Sequence, residues 1–164
     1  GRMLGFFKKK KDNEHVLGAP AKGKAVPMKA VNDPTFNSGI LGEGVAVIPS
    51  EGKIYAPEDG TVGMLFETLH AVSLTTEYGA EILIHVGLDT VKLKGKGFEA
   101  HVKVGDTVKK GDLLLTVDLE AVKEAGYDTI IPMLVCNTPE FAAVTGKDGM
   151  EVMPGDDILT IRTK

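Results

Sequence analysis

The sequence predicts an all-β fold, an antiparallel β-sandwich or barrel with Gly-Asp turns and one or two short helices. Short β-branched runs closed by Gly, Pro, Asp or Asn recur at spacings of about 8–12 residues. Glycine (20) and proline (8) make up about 17% of the 164 residues, against roughly 12% in an average chain. Helical patterning is confined to one stretch, which excludes alternating βα units and a doubly wound parallel sheet. The runs, in order, are Gly44–Pro49, Lys53–Pro57, Thr61–Phe66, Ala71–Thr76, Glu81–Val86, Leu113–Val117 and Ile158–Ile161. Between the last two, Asp118–Ala125 reads as helix, with Asp118 as N-cap and Gly126 as stop. One turn device repeats. Gly111-Asp112 feeds Leu113–Val117, Gly155-Asp156 feeds Ile158–Ile161, and Gly105-Asp106 is a shorter third instance. Glycine tolerates the tight turn and the Asp carboxylate bonds local backbone. No period is sustained, so the echo marks hairpins and not a solenoid.

Hydrophobic residues are 43% and charged residues 26%, which excludes wholesale disorder, and the length suits one domain. A net charge of −4 excludes a whole-chain field for nucleic acid. No apolar run approaches the 18 or so residues of a membrane span. The single cysteine, Cys136, forms no internal disulfide, which fits a reducing, cytoplasmic compartment. Residues 1–15 are expected to be a leader and 16–164 the domain. Gly1-Arg2 reads as an added remnant before Met3, and Met3-Leu4-Gly5-Phe6-Phe7 with Lys8–Lys11 reads as a solvated segment or a weak membrane-surface anchor.

Of four histidines, His15 and His101 lie in charged surroundings, while His70 and His85 lie in strand-like segments. A two-residue loop at Tyr78-Gly79 would pair Glu77 with Ala80. His85 then faces Val72, His70 faces Gly87, and the imidazoles are diagonal neighbours on one face. A loop one residue longer or shorter would separate them. The chain offers no further His/Cys cluster for zinc and no Gly-x-Ser-x-Gly elbow for acyl transfer. Two facing imidazoles suit phosphoryl carriage, one attacking phosphorus and the other donating a hydrogen bond to the developing charge. Two structural histidines would show the same spacing.

Glu67-Thr68-Leu69-His70-Ala71, followed by Gly79-Ala80-Glu81-Ile82-Leu83-Ile84-His85-Val86-Gly87-Leu88-Asp89-Thr90-Val91, resembles the glucose-type enzyme IIA of the bacterial phosphoenolpyruvate-dependent sugar phosphotransferase system. The similarity extends over Leu41–Gly44, Ala56–Gly60, Leu93–Phe98 and Val104–Asp106, and covers roughly residues 16 to 162. It implies a phosphocarrier β-sandwich that accepts a phosphoryl group from the small carrier HPr and passes it to a cysteine on the IIB domain of a sugar permease. His85 matches the phosphorylated residue, His70 its stabilising neighbour and Thr68 the hydroxyl that orients His70. Phe36, Ile40, Leu41, Phe66 and Val91 match an apolar docking ring, and Asp33 and Asp89 match its acidic residues. The resemblance implies no required cofactor, although some members bind zinc through both histidines and a partner's carboxylate. Some also act on regulatory targets. Pro34, Thr35 and Lys92 depart from the pattern, at positions that bear on partner preference.

A rival resemblance is to a biotinyl or lipoyl carrier domain modified at Lys29, carried by Pro27-Met28-Lys29-Ala30 and the Gly-Asp phrases. That lysine would belong at a hairpin tip, in a domain near half this length. A cupin-type hydrolase would need another metal-ligand cluster.

Overall fold

A computed structural model describes residues 13–164. Fourteen strands are formed among them: β1 (Glu14–Gly18), β2 (Gly23–Pro27), β3 (Glu43–Pro49), β4 (Lys53–Tyr55), β5 (Gly60–Leu65), β6 (Ala71–Thr75), β7 (Glu81–His85), β8 (Phe98–Ala100), β9 (Thr107–Val108), β10 (Leu113–Val117), β11 (Ile131–Val135), β12 (Ala143–Gly146), β13 (Glu151–Val152) and β14 (Asp157–Arg162). The large sheet runs β13-β2-β3-β11-β7-β6-β5-β9, and two three-stranded sheets run β1-β14-β12 and β4-β10-β8. The pairings are antiparallel. Two short α-helices, Pro34–Asn37 and Leu119–Glu124, complete the all-β architecture that the sequence predicts. Asp118 caps the second helix through Ala121 N–H, and Gly126 follows it at φ 91°, as the composition of that segment requires.

The main core lies between the large sheet and the two small ones. Leu17, Ile54, Leu114 and Ile158 of the small sheets meet Val47, Val72, Ile82, Ile84 and Met133 of the large one. A second cluster of Met28, Val31, Phe36, Ala46, Leu88, Ile130 and Leu134 covers the other face of the large sheet. Strand β11 is therefore buried on both sides. Its run Ile-Pro-Met-Leu-Val has no polar alternation, so no period-2 pattern marks it. Replacing Leu134 by alanine removes the contact that seats the second cluster on the sheet. The loss is expected to be about 2–5 kcal/mol in urea unfolding, and a loss below about 1 kcal/mol would contradict this layering.

The three Gly-Asp turns are one structure used three times. Asp106, Asp112 and Asp156 each accept a backbone N–H from the residue three positions earlier, at 3.0, 2.8 and 2.8 Å. Gly105, Gly111 and Gly155 have φ of 93°, 93° and 90°, a region that an L side chain rarely enters.

Two expectations are corrected. The β6–β7 register sets Ala71, not Val72, against His85, and Thr75 against Glu81. Thr76 and Ala80 close the hairpin: Thr76 N–H donates to Ala80 O (3.0 Å) and Ala80 N–H to Thr76 Oγ1 (2.9 Å). The loop is thus Glu77–Gly79, one residue longer than expected, because a threonine hydroxyl replaces a ladder carbonyl. At the N-terminal end, Glu14 and His15 belong to β1, paired with Arg162 and Ile161, and His15 stacks on Tyr78 at 3.6 Å. The Met3–Lys11 segment lies outside the described residues.

Candidate functional site

His85 ends β7, and His70 immediately precedes β6. With the observed register, regular pleating would send the two side chains to opposite faces. They meet nonetheless, with ring centroids 4.9 Å apart and planes at 80°. The alternation stops at Ala71. Leu69 adopts φ 59°, its N–H turning back to Phe66 O at 2.8 Å, so His70 leaves a turn and not a strand. On the other side the ladder between β11 and β7 ends at Met133↔Ile84. The next position would set Pro132, which has no N–H, against His85.

Each ring is held by its Nδ1. His85 Nδ1 lies 2.7 Å from the Gly87 carbonyl, which can only accept, so Nδ1 carries the proton and the lone pair of the neutral ring is on Nε2. His70 Nδ1 lies 2.6 Å from Thr68 Oγ1. If that hydroxyl donates, His70 Nε2 carries an N–H. The Gly87 carbonyl is set by a fixed backbone: Gly87 N–H donates to Ile130 O (2.9 Å), Leu88 N–H to Asp128 O (3.0 Å) and Thr90 Oγ1–H to Val86 O (2.6 Å). Gly87 sits at φ 80°, and a Cβ there would fall 2.5 Å from Thr90 Cγ2 and 2.7 Å from Asp128 O. The expected hairpin register sets Gly87 across from His70. Its carbonyl is the group that matters, and no periodicity in the sequence reveals it.

Both imidazoles are held neutral. Burial, and then repulsion by His85 wherever it is protonated, lowers the His70 pKa to about 4. Burial also lowers that of His85, opposed by the Gly87 carbonyl and by the charges of Asp33 and Asp89. For His70 the unfolded chain binds the extra proton between about pH 4 and 6.5. Its contribution to stability is therefore complete above about pH 6.5 and lost as pH falls toward 4. A loss on the order of 2 kcal/mol by about pH 5 is expected in urea unfolding, and His70→Gln should remove it. An unaltered pH dependence in that variant would contradict the assignment.

Of the remaining predicted residues, two phenylalanines touch the pair. Phe36 is buried and lies 4.9 Å from the His85 ring; Phe66 is half-buried and edge-on to His70 at 5.1 Å. Ile40 is 81% exposed, and Leu41 and Val91 are also exposed. Asp33 caps the helix that carries Phe36, accepting Thr35 N–H at 2.9 Å. Asp89 is exposed at φ 59°, at the start of the 3-10 turn Thr90–Leu93. Lys29 lies in the 3-10 turn Met28–Ala30, not at a hairpin tip, which leaves the carrier-lysine rival without its geometry. Among the described residues no group of three or more His, Cys, Asp and Glu could hold a metal ion. The two imidazoles offer two Nε2 atoms, so a four-coordinate zinc would need donors from another molecule. Among the described residues no helix is long and apolar enough to cross a membrane.

Residues 15–141 match the family model described as phosphoenolpyruvate-dependent sugar phosphotransferase system, EIIA 1. The chain is 42% identical to the glucose-specific EIIA component of Oceanobacillus iheyensis, over 92% of each chain. It is also 42% identical to the beta-glucoside-specific EIIBCA component of Bacillus subtilis, over 91% of this chain but only 24% of that longer protein. The solved structure of glucose permease IIA from Mycoplasma capricolum superposes with a TM-score of 0.83 at 35% identity, covering 90% of this chain and 95% of that one. The chain is thus matched in sequence and in structure by proteins of one kind. The chain belongs to the EIIA 1 family of the phosphoenolpyruvate-dependent sugar phosphotransferase system.

Proposed function

We propose that the chain is a phosphocarrier in which His85 Nε2 receives a phosphoryl group from the phosphohistidine of HPr and passes it to a cysteine of a permease IIB domain. The observation that carries this reading is the pair of touching rings, each tethered through Nδ1, with no intramolecular hydrogen bond to either Nε2 among the described residues. In acceptance, the donor's N–P bond breaks as the His85 Nε2–P bond forms, and the proton stays on Nδ1, hydrogen-bonded to the Gly87 carbonyl. In donation, a cysteine thiolate forms an S–P bond and His85 leaves as a neutral ring. Positioning and electrostatics supply most of the catalysis such a step needs. His70 Nε2–H is suited to donate to a phosphoryl oxygen, with Thr68 fixing its tautomer. No step requires a cofactor, and zinc held with a partner's carboxylate would occupy the same two Nε2 atoms.

Ile40, Leu41, Phe66 and Val91 give a docking partner an apolar contact that keeps water from the N–P bond, while Asp33 and Asp89 meet cationic side chains. Replacing Asp89 by lysine should slow transfer from HPr about tenfold at low salt and flatten its salt dependence. Equal rates at low salt would remove Asp89 from the interface. The reading places the work in the cytoplasm, where the sugar served is chosen by the permease. Incubation with phosphoenolpyruvate, enzyme I and HPr, followed by mass measurement and peptide mapping, tests it: one phosphoryl group on His85 is expected. A phosphoryl group elsewhere, or none, overturns it.

A further inference from the structure

Three lysines follow the acidic edge of the site. Lys92, Lys94 and Lys96 are all exposed, and none takes part in an ion pair among the described residues. Their backbone is held in successive tight turns, with Lys92 N–H on Asp89 O (3.1 Å), Lys94 N–H on Val91 O (3.1 Å) and Lys96 N–H on Leu93 O (3.0 Å). Leu93 packs against the main core and anchors the segment. The segment adjoins the site, because a Cβ on Gly95 would lie 3.9 Å from the carbonyl of Thr68, the residue that holds His70. The nearby Glu67 is exposed and makes no ion pair with them. The Asp33 and Asp89 charges act on His85, while Lys94 and Lys96 flank the Gly95 turn beside Thr68 and Lys92 joins it to the turn that Asp89 begins.

A protein seated over His85 covers about 800 Å2, a patch roughly 30 Å across. Such a footprint takes in both sets of charges, so a purely cationic partner would be attracted by one and repelled by the other. From this arrangement, which rests on the phosphocarrier reading, we infer that the lysines are the second half of an electrostatic key. They receive carboxylates on the partner's docking face, opposite the cations that meet Asp33 and Asp89, and so fix the rotation at which the partner lands. A partner fitting this site carries its phosphoryl-bearing side chain between a cationic and an acidic edge.

The inference has a sign that simple charge attraction lacks. Lys92→Glu, Lys94→Glu and Lys96→Glu together make the chain more negative, so general attraction of a cationic donor would speed transfer from phospho-HPr. The key predicts the reverse: transfer about tenfold slower at low salt, with the difference closing at high salt. The milder Lys→Gln triple should fall between, and the Lys→Arg triple should keep the wild-type rate. The swap Asp89→Lys with Lys92→Glu, which leaves net charge unchanged, should also be slow. Stopped reactions of phospho-HPr with each variant, with thermal unfolding to check folding, give the rates. Faster transfer in the glutamate triple, or unchanged transfer, overturns the key while leaving the carrier reading intact. A wild-type chain that takes no phosphoryl group overturns both.

Discussion

His85→Ala is expected to gain no phosphoryl mass after incubation with phosphoenolpyruvate, enzyme I and HPr, under conditions that label the wild-type chain fully. The variant loses the nucleophile itself, and no other group takes its place. His70 Nδ1 is engaged by Thr68, and His70 is only 3% exposed. Cys136 has its thiol pKa pushed up by partial desolvation and by the nearby Glu81 charge, so it is mainly the protonated, less nucleophilic thiol at neutral pH. The fold should survive, since the side chain contributes one hydrogen bond, to Gly87 O, worth about 1 kcal/mol. A folded His85→Ala chain that still labels would place the phosphoryl group elsewhere and end the proposal.

His70→Gln should separate the two half-reactions. With no phosphoryl group present, burial keeps His70 neutral. Once His85 carries a phosphoryl dianion, its negative charge attracts a proton, and the imidazole can take one as negative charge spreads over the transferring group. Glutamine supplies an N–H to steady the phosphoryl oxygens but can never become a cation. Acceptance from phospho-HPr is therefore expected to stay within about tenfold of wild type. Onward transfer to a IIB domain should fall by roughly a hundred- to a thousandfold, the range seen when one preorganised donor is removed. Chase of the labelled chain with IIB, followed by mass, measures it. Equal losses in both directions would reduce His70 to a structural neighbour.

Much of this site is legible without coordinates, and the part that is not has a specific cause. Spacing brought out His70 and His85 as a pair, and the neighbouring Thr68 and Gly87 were already in view. A two-residue loop would bring the rings together through a register that the molecule does not use. Thr76 lends its hydroxyl to the closing pair, which lengthens the loop and inverts the expected faces. The rings still touch because Leu69 turns the chain just before the ladder starts. A left-handed leucine leaves no trace in a pattern of apolar and polar residues. Phe36 illustrates the same limit, since an exposed docking residue and a buried wall of the His85 pocket look alike in sequence.

The order of residues by itself determined the class of fold, the Gly-Asp turns, the capped helix and the pairing of His70 with His85. Each depends on chemistry that acts within a few residues: alternation, turn preference, a carboxylate bonding its own backbone. Only the tertiary structure decided which nitrogen of His85 is free, how both rings are kept neutral, and that the Gly95 turn with its flanking lysines lies beside Thr68. Those outcomes depend on Gly87 O, Asp128, Pro132 and the 92–96 turns arriving from distant parts of the chain. A proton's place and a ring's charge respond to atoms within a few ångströms, whatever their separation in sequence.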